Sequence, residues 1–278
     1  MKIKSLIFLI LLIVFPMNSF AQTDLSQVKS WLCFYEEKFP EENIPKYDLY
    51  VFDSYNYPPI APLQEQGSIV VGYVSLGEVA KHDYFFNQIN SKNLLIDENE
   101  NWPGSFRVKV GSRKWHSFVI KELIPSILAK GFNGIFIDTI DTADYIENVK
   151  NVKGSIKGAK SLLKKIRKKF PKITILLNNG LFFLSDVGKY IDGVVVEDVF
   201  TSYDFEKKKY TLPSMEWTAE RLIPLKAFQE KFHKPVFTLG YLEPSQKTLI
   251  KELSKRAEEQ GFIPYFSDIH LTTIFFHP

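Results

Sequence analysis

A single cysteine, Cys33, serves a chain of 278 residues, so no internal disulfide can form and an exported fold must rest on its apolar core. The five histidines do not cluster: only His270 falls near the end of an apolar run, with His82 in a connecting segment. A transition-metal centre needs several converging imidazoles or thiolates, which this sequence lacks, and no cofactor is expected. A calcium or magnesium site from Asp138, Asp141 and Asp198 is disfavoured by the sparse pattern of ligands. There is no nucleophile elbow for a serine hydrolase. No Gly-rich fingerprint follows the first apolar run, which counts against a doubly wound dinucleotide-binding sheet, the alternative fold. Low-complexity tracts, flexible linkers and fixed-period repeats are absent as well, so residues 22–278 read as one domain. The net charge of +3 falls close to neutral once Lys2 and Lys4 are discounted, which leaves neither nucleic acid nor an anionic membrane as an expected partner.

What is present begins with a leader. Lys2 and Lys4 precede the apolar run Leu6 to Phe15, then Pro16 and the small-residue pattern Ser19-Phe20-Ala21. This order predicts a secretory signal peptide over residues 1–21, cleaved after Ala21. The apolar run is too short for the ~20 residues of a spanning helix. Cys33 lies too far beyond Ala21 for a lipid-anchored form. The mature chain is expected to be soluble, secreted or periplasmic, and monomeric.

Eight short apolar runs follow: Trp31 to Tyr35, Tyr47 to Asp53, Ile69 to Ser75, Gly134 to Ile140, Ile173 to Asn179, Gly193 to Val199, Val236 to Tyr241 and Phe262 to Ser267. Several are continuous rather than alternating, as in Val194-Val195-Val196, which suits parallel strands buried on both faces. Helical stretches lie between them, over Lys114 to Lys130, Ile156 to Phe170, Thr218 to Lys231 and Pro244 to Gln260. Lys164, Lys165, Lys168 and Lys169 form a solvated face of the second. Strands interleaved with helices in this way predict a single (β/α)8 barrel, of the TIM-barrel kind. Leu76 to Trp115 is long for a connection and suggests an active-site loop. Asp268 to Pro278 is too short for a full closing helix, so Asp24 to Lys29 is expected to seal that side of the barrel.

In such a barrel the reactive side chains come from the carboxyl ends of the strands. Those positions hold Asp53, Glu78, Asp138, Asn178, Asn179, Glu197, Asp198, Tyr241 with Glu243, and Asp268: an acidic ring with almost no basic residues. Asp138 ends Gly134-Ile135-Phe136-Ile137 and Glu197 ends Val194-Val195-Val196. Desolvation at such a place tunes one carboxyl of a pair into an acid while its neighbour stays ionised. Glycoside hydrolysis needs that pair, one to protonate the departing oxygen and one to meet the oxocarbenium-like centre. Asp141 either reaches this site or caps the following helix, with the cap favoured by the helix dipole. Asn179 binds a sugar hydroxyl or serves the Asn-Gly turn. The aromatic content, 24 Phe, 13 Tyr and 4 Trp, is mostly core. Trp and Tyr also stack on sugar rings. Tyr73, Tyr203, Tyr241 and Tyr265 near strand ends are candidate contacts on that ground, in competition with core packing, as is Trp115. Trp102, beside Pro103 and Gly104, is read as a stacking platform.

The stretches Val71-Gly72-Tyr73-Val74-Ser75-Leu76-Gly77-Glu78, Asn101-Trp102-Pro103-Gly104, Gly131 to Asp138, Gly193 to Glu197, Gly240-Tyr241 and Gly261 to Tyr265 resemble, in order and spacing, the endo-α-1,4-polygalactosaminidase family, glycoside hydrolase family 114. The resemblance runs from about Trp31 to Asp268. It implies a retaining, endo-acting hydrolase of α-1,4-linked galactosamine and N-acetylgalactosamine polymers, as found in biofilm and fungal-wall matrix. Asp138 would be the nucleophile and Glu197 the acid/base, with Glu78 toward the substrate; Asp53 is a further candidate contact from its strand-end position alone. A cationic amino sugar suits the acidic ring read above. A hydrolase of another exported glycan, or a barrel that binds polysaccharide without cutting it, are the alternatives.

Overall fold

The computed structural model describes residues 24–39 and 44–275; the leader lies outside them. Eight strands form one sheet in strict chain order, every neighbouring pair parallel: β1 Trp31–Phe34, β2 Leu49–Phe52, β3 Ile69–Ser75, β4 Gly134–Asp138, β5 Thr174–Asn178, β6 Gly193–Glu197, β7 Val236–Tyr241 and β8 Ile263–Ser267. The doubly wound alternative would reverse its strand order at a switch point, and no reversal occurs. The strands are apolar on both faces because the barrel interior buries one and the helices bury the other, as in β1, β2, β5 and β7, where every residue is buried.

The sheet closes where β8 lies beside β1. Trp31 spans this seam: its indole N–H donates to the Ile263 carbonyl at 3.0 Å, and its ring packs edge-on against Phe237 and Tyr265, each 5.5 Å away between centroids. No helix follows β8 among the described residues. The chain instead folds back over the carboxyl end of the seam, where the Tyr35 N–H donates to the Leu271 carbonyl at 2.9 Å and the Ser267 hydroxyl donates to the Thr273 backbone carbonyl at 2.6 Å. Asp24 to Lys29 does not fill the place of the missing helix. Its one helical turn, Leu25–Gln27, buries Leu25 and shares a cleft with Asp192 and Phe232 to Pro235, at the amino ends of β6 and β7.

The helices follow the amphipathic stretches with shifts at their ends. Ser155–Lys169 buries Leu162, Leu163 and Ile166 and leaves Lys164, Lys168 and Lys169 to solvent. Lys165 is exposed with them, and its ammonium also lies 2.9 Å from Nδ1 of buried His116. Met215–Phe232 starts at Ser214, whose hydroxyl accepts the Trp217 N–H, and stops where His233 turns left-handed at φ 52°. The stretch read as a helix from Lys114 is Arg113–Phe118 and Ile124–Leu128 joined by a wide turn at Val119–Leu123. The expected long loop is itself folded. It holds a three-stranded antiparallel sheet of Glu78–Ala80, Leu95–Glu98 and Ser105–Val108 with a short helix, Phe86–Ser91, and Trp115 at its end is fully buried.

Trp31 therefore carries the closure. Trp31→Ala is expected to lower unfolding free energy by about 3–5 kcal/mol, the usual cost of emptying a large aromatic site. Trp31→Phe, which loses the hydrogen bond but refills most of the volume, is expected to cost about 1–3 kcal/mol. Urea denaturation measures both, and equal losses would show that the hydrogen bond, not the packing, closes the seam.

Candidate active site

At the carboxyl ends of the strands a cavity of about 570 Å³ opens, within the range of sites that bind small molecules and short oligomers. Asp138 ends β4, Asn178 ends β5 and Glu197 ends β6, so three adjacent strands deliver three polar side chains to one place. The Asn178 amide nitrogen donates to both acids, to Asp138 Oδ1 at 2.8 Å and to Glu197 Oε1 at 2.5 Å. The outer oxygens are held by tyrosines. Tyr73 donates to Asp138 Oδ2 at 2.9 Å, and Tyr241 donates to Glu197 Oε2 at 2.8 Å. Tyr73 and Tyr241 thus contact the acids directly and line the cavity, and burial raises both phenols well above their ordinary pKa.

The strand ends are turned by unusual backbone. Thr139, Asn179 and Asp198, each directly after one of these three residues, have φ of 58°, 56° and 55°. Left-handed conformations are strained for side-chain-bearing residues, most of all a β-branched threonine. Thr139 is fixed by its hydroxyl, 2.7 Å from that of Ser75 and accepting the Gly77 N–H at 2.9 Å. A Cβ on Gly77 would stand 1.9 Å from the Thr139 carbonyl oxygen, so only glycine fits there. Asn179 serves the turn and the site together: its amide lies 3.4 Å from Glu197 Oε1, and its side-chain oxygen accepts the Glu197 N–H at 3.3 Å.

Burial, and then the charge of Asp138, push Glu197 up to about 7, although hydrogen bonds from Asn178 and Tyr241 act the other way. Asp141 is also pushed up to about 7, by burial and then by Asp138 and Glu197. It lines the cavity and makes no capping hydrogen bond to the helix Thr142–Asn148, which corrects the expectation of a cap. The reason is that the first helical amides already have partners: Thr142 N–H meets the Thr139 carbonyl and Ala143 N–H that of Ile140. Asp198 rises to about 6 through burial, opposed by Arg221.

Other expected residues divide. Asp53 lines the cavity but spends Oδ1 on the N–H groups of Tyr55 and Asn56, both at 2.6 Å. Glu78 is buried in the cavity wall and is held by Asn99, Ser105 and Arg107 from the inserted sheet. Trp102 is half-exposed on the rim, its ring 5.6 Å from Phe205, which in turn packs on Tyr203 of the hairpin Ser202–Asp204 and Lys209–Thr211. Tyr265 does not reach the cavity. Its side chain points into the core against Trp31 and Tyr47 with no exposed surface, so it is withdrawn as a sugar contact. Sequence reasoning favoured Asn179 over Asn178 as a substrate contact, and it missed Tyr55 and Phe205 on the cavity wall. The position of Asn178 as the last residue of a buried run was the available signal. Among the described residues no group of three or more His, Cys, Asp or Glu is placed to hold a metal ion.

A parallel eight-stranded barrel with two carboxyl groups at the ends of strands four and six defines the class of barrel glycoside hydrolases. Comparison makes this specific: residues 18–278 match the model of glycoside-hydrolase family GH114, and the chain belongs to that family. It is similar in fold to the glycoside hydrolase domain of PelA from Pseudomonas aeruginosa, at 20% identity and TM-score 0.78 over 88% of this chain and 97% of that one. It is similar also to Aspergillus fumigatus Ega3, solved in complex with galactosamine, at 16% identity and TM-score 0.72 over 93% and 98% of the two chains. Uncharacterised proteins of Deinococcus radiodurans and Methanocaldococcus jannaschii match at 24% and 25% identity over 73% and 76% of this chain, covering 65% and 64% of their own length.

The Tyr241 hydroxyl stabilises ionised Glu197, so removing it must raise the acid's pKa. Carboxyl 13C NMR is expected to show Glu197 titrating near 7 and moving upward in Tyr241→Phe. A downward shift would mean that the tyrosine contributes mainly by excluding water.

Proposed function

We propose that this protein is an exported, endo-acting, retaining glycoside hydrolase of α-1,4-linked galactosamine polymers. The observation that carries the reading is the Asn178 bridge. Two carboxyl oxygens bound to one nitrogen can be no further apart than those two contacts together, and this close approach supports the spacing of a retaining pair over the roughly 6.5–9.5 Å that admits a water between an inverting pair. The leader expected over residues 1–21 supports export, and no described helix is long and apolar enough to cross a membrane. The amino-sugar substrate is supported by family membership and by the acidic cavity; the relative Ega3 was solved with galactosamine.

In this mechanism Asp138 attacks the anomeric carbon while Glu197 gives its proton to the departing glycosidic oxygen. The sugar is then an ester of Asp138. Glu197, now ionised, takes a proton from water as the water's oxygen displaces Asp138, and both groups return to their starting states. Tyr73 and Asn178 hold Asp138 oriented for attack, and the raised pKa of Glu197 keeps a proton available near neutrality. Endo action is supported by aromatic rings on opposite sides of the barrel mouth. Tyr55 follows β2 and Phe205 follows β6, four strands away, where Trp102 from the connection after β3 packs on it, so a chain can extend both ways from the cut.

Asp138→Asn and Glu197→Gln are each expected to reduce polymer cleavage by about 10²–10⁴-fold or more, with folding retained. An activated fluoro- or aryl-glycoside needs no protonation to leave, so Glu197→Gln should accumulate a covalent adduct on Asp138, visible by peptide mass spectrometry. An adduct on Glu197, or inverted product by NMR, overturns the retaining assignment.

Because a general acid must carry its proton, kcat/KM on polymer is expected to fall as pH rises through about 7 in the wild type. A flat profile from mildly acidic to alkaline pH would remove Glu197 from that role. Trp102→Ala is expected to weaken polymer binding by about 1–3 kcal/mol with little change in Tm, as for one aromatic face lost from a contact.

A further inference from the structure

The strand ends that carry the two acids are held in different ways. After β4 the carbonyls of Asp138, Thr139 and Ile140 accept the backbone N–H groups of Leu76, Thr142 and Ala143. After β6 the three corresponding carbonyls, those of Glu197, Asp198 and Val199, take side-chain donors. The Arg221 guanidinium donates to Glu197 at 2.9 Å, the Trp217 indole N–H to Asp198 at 2.9 Å and the Thr218 hydroxyl to Val199 at 2.8 Å. The Glu197 N–H also goes to a side chain, the Asn179 oxygen at 3.3 Å.

The three donors sit in the first two turns of the helix Met215–Phe232. Residues three and four apart share a helix face, so the spacing of Trp217, Thr218 and Arg221 turns them together toward the end of β6. The guanidinium lies 4.9 Å from the centroid of the Trp217 ring, which leaves its edge free to donate while its plane is packed. What they hold is strained. Asp198 stands at φ 55°, a conformation that persists only where its surroundings fix it. None of the three lines the cavity.

We propose that Arg221, with Trp217 and Thr218, is a positioning residue for the general acid/base: this side-chain clamp on the Glu197 backbone aims its carboxyl at the glycosidic oxygen. The proposal rests on the glycosidase reading above and deepens it. A misplacement of about 1 Å can slow a reaction by ~10²-fold. Loosening the clamp weakens the two steps that need Glu197, protonation of the departing oxygen and activation of water. Attack by Asp138 is spared, because main-chain groups hold its strand end and no change of side chain at the helix removes them.

Arg221→Met removes the donor and keeps much of the side chain's length, and Trp217→Phe removes the indole N–H but keeps a ring under the guanidinium. On galactosamine polymer the Arg221→Met rate is expected to fall by about 10–100-fold, the scale of one hydrogen bond from a charged group. On a dinitrophenyl glycoside of a galactosamine oligomer, whose leaving group needs no proton, the burst rate of adduct formation should stay within about threefold of wild type. Arg221→Lys, which keeps the charge and a donor, should recover part of the polymer rate. Equal losses on both substrates would show a merely structural role and overturn the assignment, as would an unchanged polymer rate.

A second measurement needs no turnover. Hydrogen bonds from Asn178 and Tyr241 hold the Glu197 pKa down, against burial and the charges of Asp138 and Asp198, so a carboxyl that drifts from those donors titrates higher. Carboxyl 13C NMR is expected to show that upward shift in Trp217→Phe, in which the charge of Arg221 is unchanged. No shift there overturns the positioning role. If the wild type cuts no polymer, the functional reading fails, and this titration alone decides whether the clamp stands.

Discussion

One amide group sets the geometry of the site. Asn178 places a single NH2 between Asp138 and Glu197, and its two hydrogens leave each acid one oxygen for its own tyrosine. This requires the ends of β4, β5 and β6 to come together, and the barrel register supplies that: Ile137 pairs with Leu177, and Asn178 itself with Val195. A slip of one residue in either pairing would turn the side chain out of the barrel, because alternate strand residues face opposite sides. The apolar packing behind β5, which is buried along its whole length, therefore positions the catalytic pair as surely as the hydrogen bonds do.

The electrostatics follow from the same crowding. The two acids share a neutral donor and, among the described residues, no cation bonds to either carboxyl, so burial is left to weigh against charge on Glu197. Arg221 is a source of positive charge close by, yet its guanidinium hydrogen bond goes to the backbone carbonyl of Glu197 and not to the carboxylate. Its stacking on the Trp217 ring, 4.9 Å to the centroid, holds it there. A direct ion pair would lower the pKa of Glu197 and ionise it at neutral pH. Leaving the carboxyl to hydrogen bonds alone keeps its pKa near 7 and a proton within reach.

The barrel and the carboxyl pair could be read from sequence because both are written in local pattern. Continuous valine and isoleucine runs mark strands buried on both faces, and a carboxylate where such a run stops falls at the barrel mouth, where reactive side chains collect. The inserted sheet was not legible. Leu95–Glu98 is only partly buried and mixes apolar with acidic residues, so it carries too little periodicity to separate strand from loop. Tyr265 was misplaced for a related reason. In a closing strand both side-chain directions are apolar, and nothing local shows that its ring meets Trp31, far away in sequence, at the seam. Sequence reasoning took Asn179 in preference to Asn178 on its Asn-Gly turn, whereas strand pairing decides which of two adjacent asparagines faces inward.

Asp141 looked like a helix cap because aspartate before a helix commonly is one, and the structure shows what displaced that role. Thr139 is left-handed, and this turn lets its carbonyl accept the Thr142 N–H and begin the helix without a side-chain cap. A threonine in that conformation costs about 1–3 kcal/mol. The cost is met by the Ser75 and Gly77 contacts, which are available only because β3 and β4 pair with Ser75 opposite Asp138. Glycine at 77 is needed for the same approach. The strain thus has two effects: Asp138 projects over the barrel mouth, and the next carboxylate is released from capping to line the same cavity. Left-handed residues recur after β5 and β6, at Asn179 and Asp198, so the backbone is bent away directly behind each of the three polar side chains that meet at the centre. The three strained residues follow three adjacent strands, and that clustering is expected where strain is held in place to aim side chains.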